Sequence, residues 1–373
     1  MIRGNSAFAI DLYRRLAGAG AGNLFLSPHS ISTAMAMVDV GARGDTAKEI
    51  EAVLEFPFGG AALAKAFRDV LDDVNRHEPK YDLVTANALW AAQAVEFLPD
   101  YLAMAREQFG AAIETLDFVH AGEAARANIN EWVATITRQK IRNLIGTGML
   151  TPDTLLVLTN AIYMKAAWKQ QFTAASTDPN GRFHGPAGES TVSMMKQTAG
   201  FPLFRGDGVG VIELPYAAEA LSMLIVLPDA VDGLGKVESA LTAEKLDDWR
   251  VRAKPQHVAL SLPRFAIESS FLLSDVLRAM GVRLAFNRTG LADFSGMAAA
   301  EKLHISEVIH KAHVDVTEEG TEAAAATGMV LRVSSMMREP PAEAFQADHP
   351  FLFVIRCRGS MLFVGRLMEV VSD

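Results

Sequence analysis

The stretch that decides the fold reads EEGTEAAAATG, residues 318–328. Local propensity makes it a helix. Four alanines follow Glu322, alanine is the best helix former, Thr321 is able to cap, and the acid would sit at the positive end. The other period fits as well. Alternate residues from Thr321 are Thr321, Ala323, Ala325, Thr327, Met329, Leu331 and Val333; none is charged and the last three are apolar. Between them lie Glu322, Ala324, Ala326, Gly328, Val330, Arg332 and Ser334, which carry both charges. In a strand these sets face opposite sides. The segment is therefore also a strand of ~13 residues, about 43 Å long at ~3.3 Å per residue, with one buryable face. A segment that satisfies two structures is a candidate for passing from one to the other.

The rest of the chain sets the frame for such a change. It has 373 residues, half of them hydrophobic, which is enough for a large core and excludes disorder. A net charge of −9 argues against nucleic acid and anionic membrane surfaces as partners. The strongest apolar run, LSMLIVL (221–227), has the size of a buried strand and not of a membrane span. Cys357 is the only cysteine, so no intrachain disulfide forms. Charge enters the apolar pattern of MIRGNSAFAIDLYRRL at once, so this is no signal peptide. The compartment stays open: extracellular if a signal was removed ahead of it, cytoplasmic otherwise.

Helical spacing dominates the first half, over 6–17, 27–42, 45–54, 98–110 and 124–137, with Ser27 and Asp45 as caps. Strand patterns occur at 81–92 and 111–118. The second half is strand-rich: 154–168, 209–217, 221–228, 257–269 and 311–319, then a hairpin of 351–358 and 361–371 turning at Gly359-Ser360. The elements do not alternate as βαβ units, no repeat is present, and no linker divides the chain. One α+β domain over 1–373 is the expectation.

No enzyme motif stands out. GAGAGN (18–23) follows a helix and lacks the rest of a dinucleotide fingerprint. His310 and His313 fall on opposite faces of a strand, which makes them a poor metal pair. Arg205–Asp207 reads RGD within a glycine-rich turn, and Asn287-Arg288-Thr289 matches a glycosylation acceptor, a pattern common by chance. No catalytic residue, metal or cofactor is expected.

Four blocks resemble the serpins, in that family's order: NLFLSPHSISTAMAMVDVGARGDTAKEI (23–50), TNAIYMKAAWKQQF (159–172), VIHKAHVDVTEEGTEAAAATG (308–328) and ADHPFLFVIRCRGSMLFVGRL (347–367). The resemblance implies a helix-rich N-terminal half packed on three β-sheets, with an exposed reactive-centre loop at about 318–345. It implies an irreversible suicide-type inhibitor of serine proteases. Cleavage of the loop gives a covalent acyl complex, and the loop then inserts into the central sheet. The implied hinge is Glu318, Glu319, Gly320, Thr321, Glu322, Ala323, Ala324, Ala325, Ala326 and Thr327. Its inward face carries no bulky, charged or proline residue, which favours insertion. Counting from the hinge places the reactive bond at Ser334–Ser335. Counting from Pro340-Pro341 gives Met337–Arg338, and Val333 and Met336 remain alternatives. Small residues there suit elastase-like or subtilisin-like targets, Met also chymotrypsin-like ones, and the flanking Arg332 and Arg338 a trypsin-like one. Ser27, Ser30, Asn160 and His310 match the family's polar cluster beneath the sheet opening, and Trp168 matches the tryptophan at its top. The stretch 67–82 mixes charges of both signs, so no heparin-type activator is expected. The expected state is a monomer whose partner is the target serine protease. A non-inhibitory binding or chaperone role and inhibition of papain-like cysteine proteases are the competing functions.

Overall fold

The computed structural model describes residues 1–74, 81–218, 220–299, 303–321 and 341–370. The N-terminal part is helix-rich: α1 (Ile2–Ala19), β1 (Leu24–Leu26), α2 (Pro28–Asp39), α3 (Gly44–Val53), α4 (Gly60–Val74), β2 (Tyr81–Ala92), α5 (Pro99–Phe109), β3 (Ala112–Leu116) and α6 (Gly122–Ile136). Strands then dominate: β4 (Leu156–Ala167), β5 (Asp178–Gly185), β6 (Gly188–Gly206), β7 (Val209–Pro215) and β8 (Leu221–Pro228). After α7 (Leu234–Ser239) and α8 (Ala243–Arg252) come β9 (Lys254–Pro263), β10 (Phe265–Leu272) and α9 (Ser274–Met280). The chain closes with β11 (Glu307–Val316), β12 (Gly320–Thr321), β13 (Glu343–Gln346), β14 (Phe351–Cys357) and β15 (Ser360–Leu367).

Among the described residues there are two hydrogen-bonded sheets. The six-stranded one runs β10-β11-β12-β4-β2-β3, and the nine-stranded one runs β1-β15-β14-β8-β7-β6-β9-β13 with β5 paired to β6. The resemblance implied three. The third is the end of the larger sheet formed by β5, β6, β9 and β13, which joins the rest because the 19-residue β6 pairs with β5 and β9 and then, through its last four residues, with β7. One large apolar core lies between the helices and the inner strands, and a second fills the space between the two sheets.

Several expected boundaries move, each for a physical reason. Residues 257–269 form two strands in different sheets. β9 ends at Pro263, whose ring cannot donate a ladder hydrogen bond, and the chain crosses over through Arg264 into β10. The closing hairpin turns at Arg358-Gly359 and not at Gly359-Ser360. Cys357 pairs with Ser360, and both turn residues have positive φ (48° and 91°), the geometry that matches strand twist. Asp45 does not cap α3. That helix starts at Gly44 with Arg43 in the cap position, and Asp45, in its first turn, pairs with Lys48 instead. Ser27 does cap α2, its Oγ accepting from the Ser30 amide with Pro28 at the first helical position.

Candidate functional site

The site is the seam between β4 and β11, and its two halves differ. In the lower half the strands pair directly and in parallel, from Glu307 opposite Val157 to His313 opposite Tyr163. In the upper half they part, and β12 lies between them. Thr321 sits opposite Ala166 of β4 and Val316 of β11, and Gly320 opposite Ala167. Ala166 and Val316 are 150 residues apart in number, the same offset as Asn160 and His310 below. A strand placed between β4 and β11 therefore keeps one register with both.

Gly320 is required where it stands. A Cβ there would lie 2.1 Å from the Ala166 carbonyl oxygen. The flanking backbone is tied down: the Trp168 amide donates to the Glu319 carbonyl (2.9 Å) and the Phe172 amide to the Glu318 carbonyl (3.0 Å). The Glu318 carboxylate is buried, held by Arg264 and by the Thr177 hydroxyl. Burial would raise its pKa, but those two partners outweigh it and the net shift is downward. Trp168 donates from its indole to the Thr317 carbonyl (3.0 Å) and stacks on Tyr216 at 4.4 Å between ring centres. The Tyr216 and Thr321 hydroxyls share a hydrogen bond of 2.5 Å, and both residues are buried.

The closed half rests on a buried polar cluster. The Ser27 amide donates to His310 Nε2 (3.1 Å). An amide can only donate, so Nε2 accepts and the ring is neutral, with its proton on Nδ1 facing Asn160 Oδ1. The Asn160 amide nitrogen reaches the Ser30 carbonyl (3.1 Å), the Ser30 hydroxyl and Asn87 Oδ1. Ser27 Oγ donates to the Leu362 carbonyl at 2.7 Å. The cluster thus joins α2, β2, β4, β11 and β15. Burial lowers the His310 pKa to about 3, which keeps the imidazole in its neutral form. The structure brings Ser27, Ser30, Asn160 and His310 together, and sequence reasoning missed Asn87, whose partner is 73 positions away. His313 is only partly buried, on the other face of β11.

A family model described as Serpin (serine protease inhibitor) matches residues 3–370. This chain belongs to the serpin family. It is 42% identical to the leukocyte elastase inhibitor of Bos taurus over 97% of each chain. It is 41% identical to an uncharacterised serpin-like protein of Thermococcus kodakarensis, over 98% of this chain and 84% of that one. Among solved structures, Serpin48 of Tenebrio molitor superposes with a TM-score of 0.89 at 32% identity, covering 99% of this chain and 97% of that one. Family and relatives point to a protease inhibitor and not to a catalyst. In this serpin, Glu318, Glu319, Gly320 and Thr321 of the expected hinge are placed as above. Glu322, Ala323, Ala324, Ala325, Ala326 and Thr327 lie outside the described residues, as do Val333, Ser334, Ser335, Met336, Met337 and Arg338.

Where the chain is described again, β13 pairs in parallel with β9 alone, at the edge of the larger sheet. Arg205 clamps it. Its Nε contacts Glu343 (3.0 Å), its Nη2 donates to the Ala344 carbonyl, and its guanidinium lies over the Phe345 ring. Gly210, opposite Arg205, leaves room for this, since a Cβ there would meet the guanidinium at 2.7 Å. Asp207 is bound to Trp249 and Arg252. Both charged groups of the RGD tripeptide are therefore engaged within the fold. Among the described residues no group of three or more His, Cys, Asp or Glu is placed to hold a metal, and no helix is long and apolar enough to cross a membrane.

Proposed function

We propose that this serpin is an irreversible suicide-type inhibitor of serine proteases, cleaved at Ser334–Ser335. The segment after Thr321 would then enter the seam as a full strand. The observation that carries this reading is the register of β12. Extended one residue at a time, it sets Ala323 opposite Met164 and Val314, Ala325 opposite Ile162 and Ala312, Thr327 opposite Asn160 and His310, and Met329 opposite Leu158 and Val308. Every one of those partners is buried. The uncharged set of the 321–333 alternation thus meets the interior, and Thr327 brings a hydroxyl to the polar cluster. Glu322 falls opposite Lys165 and Asp315, both only partly buried. Leu331 would reach Leu156, the first residue of β4, so the receiving strand ends three residues short of the proposed bond.

The target class follows from the pocket that would receive the residue before the bond. A serine side chain fits a shallow primary pocket of the elastase or subtilisin kind. The names of the mammalian relatives agree with an elastase-like target. In this reading the protein is a monomer, and no polysaccharide activator is expected because the stretch 67–82 mixes charges of both signs. The experiment is a denaturing gel after mixing with elastase, subtilisin, chymotrypsin, trypsin and papain. A stable covalent band with elastase or subtilisin is expected. A band only with papain would favour cysteine-protease inhibition. Cleaved serpin without any band would favour a non-inhibitory role.

A further inference from the structure

Tyr216 lies just beyond β7, in the larger sheet's part of the chain, yet its hydroxyl meets Thr321 in the seam of the smaller one. Its position is fixed from three sides. Its amide donates to the Leu221 carbonyl (3.0 Å), the next amide, of Ala217, donates to the Ala167 carbonyl of β4 (2.7 Å), and its ring stacks on Trp168 with an interplanar angle of 15°. The hydroxyl is therefore a preorganised group and not a mobile one. Thr321 is the first inward residue of the alternation and is 1% exposed, so its own hydroxyl has been withdrawn from water. Among the described residues, the hydrogen-bond partner of that hydroxyl is the Tyr216 hydroxyl.

We infer that Tyr216 is a positioning residue that starts the new strand: its hydroxyl is a fixed hook that holds Thr321 at the mouth of the seam before cleavage and keeps hold of it as the strand lengthens. The inference rests on the insertion reading above and adds a residue to it. The physical ground is the asymmetry of buried hydrogen bonds. Removing one hydroxyl leaves the other buried and unpaired, whereas removing both leaves an apolar contact of nearly the same shape. Tyr216 acts through Thr321 and touches neither the bait bond nor the protease.

The test uses Tyr216→Phe, Thr321→Val and the double variant in the full chain. Tyr216→Phe retains the ring and its stacking on Trp168. The first measurement needs no protease: amide hydrogen exchange of the segment 317–321 in the uncleaved protein. The second is the ratio of covalent complex to released, cleaved serpin, with a protease that the wild type traps. Each single variant is expected to raise exchange about five- to tenfold, the size of one unpaired buried hydroxyl, and to shift the ratio toward cleaved serpin. The double variant is expected to return both toward wild type. Single variants that match wild type in both measurements, or a double variant as impaired as the two singles combined, would overturn the hook. Should Tyr216→Phe fail to fold, Thr321→Val poses the same question by orphaning the tyrosine hydroxyl. If the exchange pattern holds while the wild type traps no protease at all, the hook stands and the inhibitory reading falls.

Discussion

The two halves of one seam are built on different chemistry. Above, β4 and β11 are parted by two residues of their own chain, and what lies there is a glycine in backbone contact, a buried hydroxyl pair and a stacked tryptophan. Below, the same strands are paired over seven positions and locked by Asn160 and His310. On the proposed insertion, the upper half would accept a strand because its groups already bond to one. The lower half would resist because its polar groups are satisfied by each other, and every one of them must find a partner again if the strands part. The contrast is between a starting point at Ala166 and Val316 and a lock at Asn160 and His310, six residue pairs apart.

Cleavage is expected to have the largest effect on that contrast. Nicking the 332–338 region with a non-target protease should raise the thermal midpoint. Burial of Met329 and Leu331, at roughly 1.5–3 kcal/mol each, points to a gain of about 5 kcal/mol. At ~2 °C per kcal/mol that is about 10 °C or more. A scanning calorimetry trace of the nicked protein at or below the intact midpoint would count against insertion.

Next comes Thr321→Arg, which places a charge on the buried face of the upper half at a cost of several kcal/mol, on the order of 3–5. Loop cleavage should continue while covalent complex falls at least tenfold. Glu322→Arg, on the half-buried face opposite Asp315, should retain most of the complex. A reversed order of the two variants in a stoichiometry titration would invert the face assignment.

Asn160→Ala attacks the lock. It orphans His310 Nδ1, Asn87 Oδ1 and the Ser30 hydroxyl together, and should destabilise the intact protein by about 2–4 kcal/mol in urea titration. A loss under ~1 kcal/mol would mean that the cluster does not hold the seam.

The smallest expected effect is one of pH. The folded value of His310, about 3, lies below its ordinary 6.5. A depressed histidine contributes stability that is fully present above pH ~6.5 and is lost as pH falls toward the folded value, by at most about 1.4 kcal/mol per unit. His29, lowered by burial to about 4, adds to that slope. Asp39, raised to about 7 by burial and by Glu51, opposes it. The informative quantity is therefore the difference between wild type and His310→Gln, whose stability should fall less steeply between pH 6.5 and 5. Identical slopes in the two proteins would remove His310 from the acid response.

What was legible in the sequence follows how local the cause is. The strands at 81–92 and 221–228 match their observed bounds, because alternation and flanking turn residues are near neighbours. The Ser27 cap was readable for the same reason. β5 and β6 were missed. Their pattern of buried and exposed residues is irregular and glycine interrupts it, so no clean period marks them. Helix α4 was missed although its apolar residues recur at helical spacing. At the site, Ser27, Ser30, Asn160 and His310 came as a set only through the family resemblance, since no spacing rule links positions 283 apart. Tyr216, Arg264 and Thr177 had no signal at all. Their role is set by which loops meet at the top of the seam, and folding alone decides that. The two faces of 321–333 were visible from the residues, but the register that gives them meaning required β12.

The clamp on β13 has one further consequence, in contour length. Gln346 lies opposite Ser261, three positions from the Arg264 that grips Glu318, so both ends of the bait segment are anchored at the same end of the molecule. An intact segment that followed β12 down to Leu156 would descend about 33 Å over ten steps. From Leu331 it would then have twelve steps to climb back to Glu343, and twelve steps span at most ~40–43 Å. The return leg would be drawn nearly straight, with at most about 10 Å to spare, pulling on a four-residue edge strand held by Arg205. On the proposed insertion, cutting the segment near its lowest point would remove that tension. A proteolytic nick would then free the chain to fall the full depth of the sheet while its far anchor stays in place.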